Sequence, residues 1–114
     1  MPHIVIEYSA PLADHYDLDA LCKELCDAAI STGVFPKPED IKARAMPASH
    51  WHRPAEHQSF AHVMVRLLSG RTEEQKKSVT AAILQAMEKR LSDVAALTVD
   101  INDINRETYA KRTL

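Results

Sequence analysis

Three features of this chain combine reactive residue types with suggestive positions. Pro2 follows Met1 directly, Lys42 and Arg44 lie two apart in one short run, and Arg71 sits between a glycine and a helix-start signal. Initiator methionine is commonly removed before a small second residue, and that cleavage would leave Pro2 with a free secondary amine at the tip of the opening run MPHIVIEYS. An α-amine titrates near about 7.7 to 8.0, and burial beside Lys42, Arg44 or Arg71 lowers that value by disfavouring the protonated form. Such an amine is neutral at cellular pH and can act as a general base. The plain alternative is that Pro2 is an inert second residue.

Arg71 stands at a helix entrance, where the macrodipole is positive and a cation is locally unfavourable. A residue set against its local preference points to function. With the free N–H groups of the first helical turn it would form an anion site suited to a carboxylate; otherwise it is an exposed arginine tolerated at small cost. Lys42 and Arg44 project to one side of a strand, and cations taken out of water need anionic partners. Those partners are either acidic side chains, such as Asp100, or a bound dianionic substrate.

The elements that hold these groups are legible from periodicity. The run 3–8 (HIVIEY) is short and rich in β-branched residues, the signature of a strand. From Asp17 the apolar positions fall on a 3.6-residue stripe, Leu18, Leu21, Cys22, Leu25, Cys26, Ala29 and Ile30, which predicts an amphipathic helix ended by Gly33. Residues 41–46 (IKARAM) alternate as a second strand, with Lys42, Arg44 and Met46 on one side. The stretch 47–58 (PASHWHRPAEHQ), with two prolines and three histidines, connects two halves.

The pattern then repeats. Residues 59–68 alternate Ala61, Val63, Val65 and Leu67 against Phe60, His62, Met64 and Arg66. Thr72 and Gln75 form a capping box that opens a second helix, buried through Val79, Ala82, Ile83, Ala86, Met87 and Leu91. Residues 97–104 (LTVDINDI) form the last strand, and the polar residues 105–114 are a surface tail or a segment laid on a neighbour. The expected fold is α/β in the α+β sense: two βαβ units forming one four-stranded sheet, with both helices on one face. The chain is read as one domain, 1–114, with halves of about 2–47 and 58–104. Phe60, Met64 and Met46 would leave the second face bare, which predicts a homo-oligomer with its sheets packed inward.

Composition narrows the function. The 114 residues suit one domain; 46% are hydrophobic and 26% charged, and no apolar run approaches the roughly 18 residues of a membrane span. No basic segment with an apolar core opens the chain, so no secretion signal is expected and a cytoplasmic protein is. A net charge of -2, with Lys and Arg scattered, gives no case for a nucleic-acid surface. Cys22 and Cys26 share a helix face as free, half-buried thiols. His50, His52, His57 and His62 lack the helical spacing and accompanying ligands of a zinc site, so no metal is expected. There is no G-x-G-x-x-G, P-loop or G-x-S-x-G motif.

Taken together, Pro2, the duplicated βαβ pattern and the GR helix entrance resemble the tautomerase superfamily, and within it the 5-carboxymethyl-2-hydroxymuconate isomerases. The likeness spans almost the whole chain: PHIVIEYS, TGVFP at 32–36, IKAR, AHVMVRLLSGR and TVDINDI. It implies a homotrimer or hexamer and a ketonisation in which the terminal proline moves a proton from a dienol hydroxyl to a distant carbon while cations hold the substrate's carboxylates. By position, Pro2 would be base and then acid, and Arg71 the helix-entrance arginine. Lys42 stands at the strand-arginine position with Arg44 two residues on, and a lysine cannot reproduce an arginine's two-pronged hold. The substrate would be a small dicarboxylate or tricarboxylate, with no cofactor needed. Only one half has the terminal amine and only the other has the GR entrance, so one site per chain is expected. Other implied readings are a proline-dependent dehalogenase or hydratase on an unsaturated acid, or a non-catalytic trimeric binding protein.

Overall fold

A computed structural model describes all 114 residues. Strand β1 (His3–Ser9) leads through a short 3-10 turn to helix α1 (Leu18–Ser31), and the chain returns as β2 (Lys42–Ala48). The second half repeats this with β3 (Phe60–Leu68), α2 (Glu73–Arg90) and β4 (Ala96–Ile104). The four strands make one sheet in the order β2-β1-β3-β4. Within each half the strands run parallel, β1 beside β2 and β3 beside β4; the halves join through the antiparallel pair β1 and β3. A helical crossover is what parallel pairing requires, so the order of elements in the sequence already carries the topology of each half.

Local chemistry sets the helix ends. The Asp17 side chain caps α1 by accepting from the Ala20 N–H at 3.0 Å, and Gly33 leaves the helix at φ 73°, a region that disfavours a side chain. Thr72 opens α2 with a complete capping box: its hydroxyl accepts from the Gln75 N–H, and the Gln75 side chain accepts from the Thr72 N–H. Pro47 sits in β2 without breaking the sheet, because β2 is an edge strand and one of its sides needs no N–H.

Both helices lie on one face of the sheet. Ile4, Ile6, Val63 and Val65 point up into Leu21, Leu25, Val79, Ile83 and Met87, all essentially inaccessible to solvent. The opposite face is open in the single chain, where Met46 and Met64 are 53% and 37% exposed. Cys22 and Cys26 are free thiols at the margin of α1, partly covered as their spacing predicts, and burial raises the pKa of both. No helix is long and apolar enough to cross a membrane.

Candidate active site

Pro2 immediately precedes β1 and its side chain is among the most deeply buried in the molecule. Its carbonyl accepts from the Lys42 N–H at 3.1 Å, which ties it to the start of β2. Met1 precedes it, so the Pro2 nitrogen is an amide here, and the free amine is that of Met1. That amine donates to the Asp40 carbonyl at 2.8 Å, and the Lys42 ammonium donates to the same oxygen at 2.7 Å. Burial, and then the adjacent Lys42 charge, hold the pKa of the Met1 amine below its ordinary value.

Beside this amine opens a cleft of about 310 Å³ lined by Met1, Phe35, Asp40, Arg71, Arg106 and Lys111, among others. Arg71 donates to the Leu68 carbonyl at 3.2 Å, and its guanidinium lies over the Phe35 ring, 5.6 Å from the centroid. Arg71 and the chain's N-terminus, 70 positions apart in sequence, thus line one cleft, because β1 and β3 are neighbours in the sheet. The helix entrance differs from the sequence expectation: the capping box consumes two of its N–H groups, and Glu73 and Glu74 face the positive end of the dipole. Arg71 therefore acts as a side chain turned back over the turn, away from the first-turn N–H groups.

Lys42 and Arg44 share the open face of the sheet and are exposed. Neither has a carboxylate within ion-pair distance. Asp100, an acidic partner considered for them, lies on β4 at the far edge of the sheet, where its carboxylate is 3.6 Å from His62 Nε2. Arg44 instead donates to His3 Nδ1 at 3.2 Å. An arginine can only donate, so Nδ1 accepts and the ring proton is on Nε2, which donates to the Tyr109 hydroxyl at 3.0 Å. Burial, then the Arg44 charge, hold the His3 pKa below its usual value, consistent with that neutral ring.

The residues missed by sequence are those of the last segment. Residues 105–114 run back over their own chain: Arg106 donates to the Ser69 carbonyl at 2.6 Å, Tyr109 meets His3, and Lys111 lies 3.7 Å from the Asp40 carboxylate. One sequence signal was present, since this segment holds Arg106, Lys111 and Arg112 against Glu107 alone in a chain of net charge -2. Within the single chain no three His, Cys, Asp or Glu side chains stand close enough together to hold an ion. The histidine-rich connection is held by Gln58, whose side-chain amide donates to the Arg53 and Ala55 carbonyls and whose backbone carbonyl accepts from the Trp51 indole. In a larger groove of about 550 Å³ between α1 and α2, Arg90 is paired with Glu24 at 2.7 Å and Asp27 with Lys23 at 2.9 Å, which leaves Lys89 as the one charged side chain of its lining without an ion-pair partner.

This architecture has counterparts among solved structures. A crystal structure of a 5-carboxymethyl-2-hydroxymuconate delta-isomerase is 27% identical, with a TM-score of 0.84 over 99% of this chain and 88% of that one. A 5-carboxymethyl-2-hydroxymuconate isomerase from Deinococcus radiodurans R1 is 18% identical, with a TM-score of 0.77 over 99% and 90% of the two chains. A fused 4-OT described as an asymmetric trimer is 17% identical, with a TM-score of 0.77 over 96% and 91%. No curated protein matches by sequence. The sequence model of 5-carboxymethyl-2-hydroxymuconate isomerase matches residues 2–113. With its duplicated βαβ sheet and its cationic cleft at the start of β1, this chain belongs to the 5-carboxymethyl-2-hydroxymuconate isomerase family and is an isomerase.

Proposed function

We propose that the enzyme ketonises 5-carboxymethyl-2-hydroxymuconate or a similar dienol carboxylate in the cytoplasm, with Pro2 as the proton carrier once Met1 is removed. The observation that carries this reading is the buried Pro2 beside a cationic cleft that also contains Arg71. Loss of Met1 would convert the Pro2 amide into a secondary amine closer to the interior than the Met1 amine. The causes that depress the Met1 amine, burial and the Lys42 charge, would lower the pKa of the Pro2 amine in the same direction. Neutral Pro2 takes the proton of the dienol hydroxyl, the carbonyl forms as the double bonds shift, and the protonated amine returns a proton to the distal carbon. Arg71 holds one carboxylate, and Lys42 and Arg44 attract another from the sheet face; their fixed charges stabilise the anionic dienolate between the two proton transfers.

We further propose that the chain acts as a homotrimer with one site per chain, its open sheet face packed against its neighbours. The exposed Met46 and Met64 and the fused 4-OT trimer of the same fold support this.

The test is dienol decay followed by absorbance, with intact mass showing the loss of Met1. Pro2→Ala should lower kcat by a factor of about 100 or more, the scale of a lost general base. Arg71→Ala should lower kcat/KM by about tenfold to a hundredfold, the worth of a charged hydrogen bond. Unchanged rates in both variants would overturn the assignment and leave a binding protein on an isomerase fold.

A further inference from the structure

We propose that Arg106, on the segment after β4, is a specificity-determining residue that receives one carboxylate beyond those taken by the proposed machinery, so that the site prefers tricarboxylates over dicarboxylates. This deepens the isomerase reading and rests on it for the identity of the reactant. Two guanidinium groups are hung on consecutive carbonyls of one turn: Arg71 on Leu68 and Arg106 on Ser69, both lining the same cleft. Each spends a single nitrogen on its carbonyl, and neither meets a carboxylate. Arg90 shows the contrast, since both prongs of its fork are bound to Glu24 at 2.7 and 2.8 Å.

Gly70, between the two anchoring carbonyls and Arg71, sets the spacing. Its φ of 124° strains any side chain, and a Cβ there would lie 3.5 Å from Arg106 Nη2. That distance is an ordinary van der Waals contact, so it is the backbone conformation that calls for glycine here, and the Arg106 guanidinium lies directly over the turn. The cleft lining holds four cationic side chains, Lys37, Arg71, Arg106 and Lys111, against one carboxylate, Asp40. Asp40 is already shared with Lys111 at 3.7 Å. Like charges gathered at one small opening repel each other unless an anion lies among them, and two free guanidinium forks match two carboxylates. At about 310 Å³ the cleft suits a compact polyanion at the small end of ligand pockets.

Two measurements test this. Calorimetry with propane-1,2,3-tricarboxylate and pentanedioate gives the binding ratio of three carboxylates to two. Absorbance assays give the kcat/KM ratio of 5-carboxymethyl-2-hydroxymuconate to 2-hydroxymuconate. Both ratios should fall about tenfold to a hundredfold in Arg106→Ala. They should fall as far in Arg106→Gln, which keeps a donor for the Ser69 carbonyl but no charge, and recover in part in Arg106→Lys. Ratios that survive Arg106→Ala or Arg106→Gln, or a wild type without preference in binding, overturn the role of Arg106. If wild type turns over neither dienol yet its binding preference depends on Arg106, the isomerase reading fails while the anion selectivity stands.

Discussion

At the scale of residues, the site joins a buried terminus to cations that the fold leaves unpaired. His3 links its two sides: Arg44 donates into Nδ1, and Nε2 donates to Tyr109 on the last segment. Only the neutral ring can make both bonds, since protonation would set an N–H against the Arg44 guanidinium. The folded pKa of His3 is held below its usual value, so the unfolded chain binds this proton first as pH falls. The stability from His3 is therefore complete above about pH 6.5 and is lost as pH drops towards and through the lowered folded pKa. An NMR titration of the His3 ring should find its midpoint below the ordinary value, and Tyr109→Phe should loosen residues 105–114 in hydrogen exchange. The proposed Pro2 base has the same sign: its rate should fall as acid protonates the amine, with a midpoint below the ordinary α-amine range. The His3 bridge was not visible in sequence, because His3 and Tyr109 are 106 positions apart.

At the scale of elements, the turn from β3 into α2 is the most informative piece. Thr72 and Gln75 announce the helix start within four residues, and the structure has the complete capping box. Gly70 and Arg71 just before it are as legible, because their conformational and charge preferences are local. Thr72→Ala should cost about 1 kcal/mol in denaturant unfolding, the usual worth of an N-cap, and should mainly fray the start of α2. The last segment resisted sequence reading for the opposite reason. Its contacts reach to His3, Asp40 and Ser69, so no periodicity within 105–114 could reveal where it lies. The acidic partner considered for β2 was excluded in a similar way, because strand order puts Asp100 at the other edge of the sheet.

At the scale of the whole molecule, the single chain is slightly expanded, with a radius of gyration of 14.5 Å against about 13 Å for a compact chain of this length. One sheet face is covered by two helices, and the other is open, with Met46, Met64, Arg44 and Arg66 on it. If that face is buried in a trimer, Met64→Glu should place a charge in the interface. Light scattering should then fall from three chain masses towards one, with activity lost in parallel if neighbouring chains complete each site; an unchanged mass would exclude this face as the interface. The sequence by itself determined the six main elements, the parallel pairing within each half, the inward faces of the strands and the pairing of Pro2 with Arg71 as candidates. Each of these follows from short-range periods, caps and turn residues. Only the tertiary structure decided that the halves meet through β1 and β3, that Arg71 and the N-terminus share a cleft, and that the tail brings Arg106 to the same opening. Those facts depend on contacts between distant parts of the chain, which become definite only when the core closes and fixes the register of the sheet.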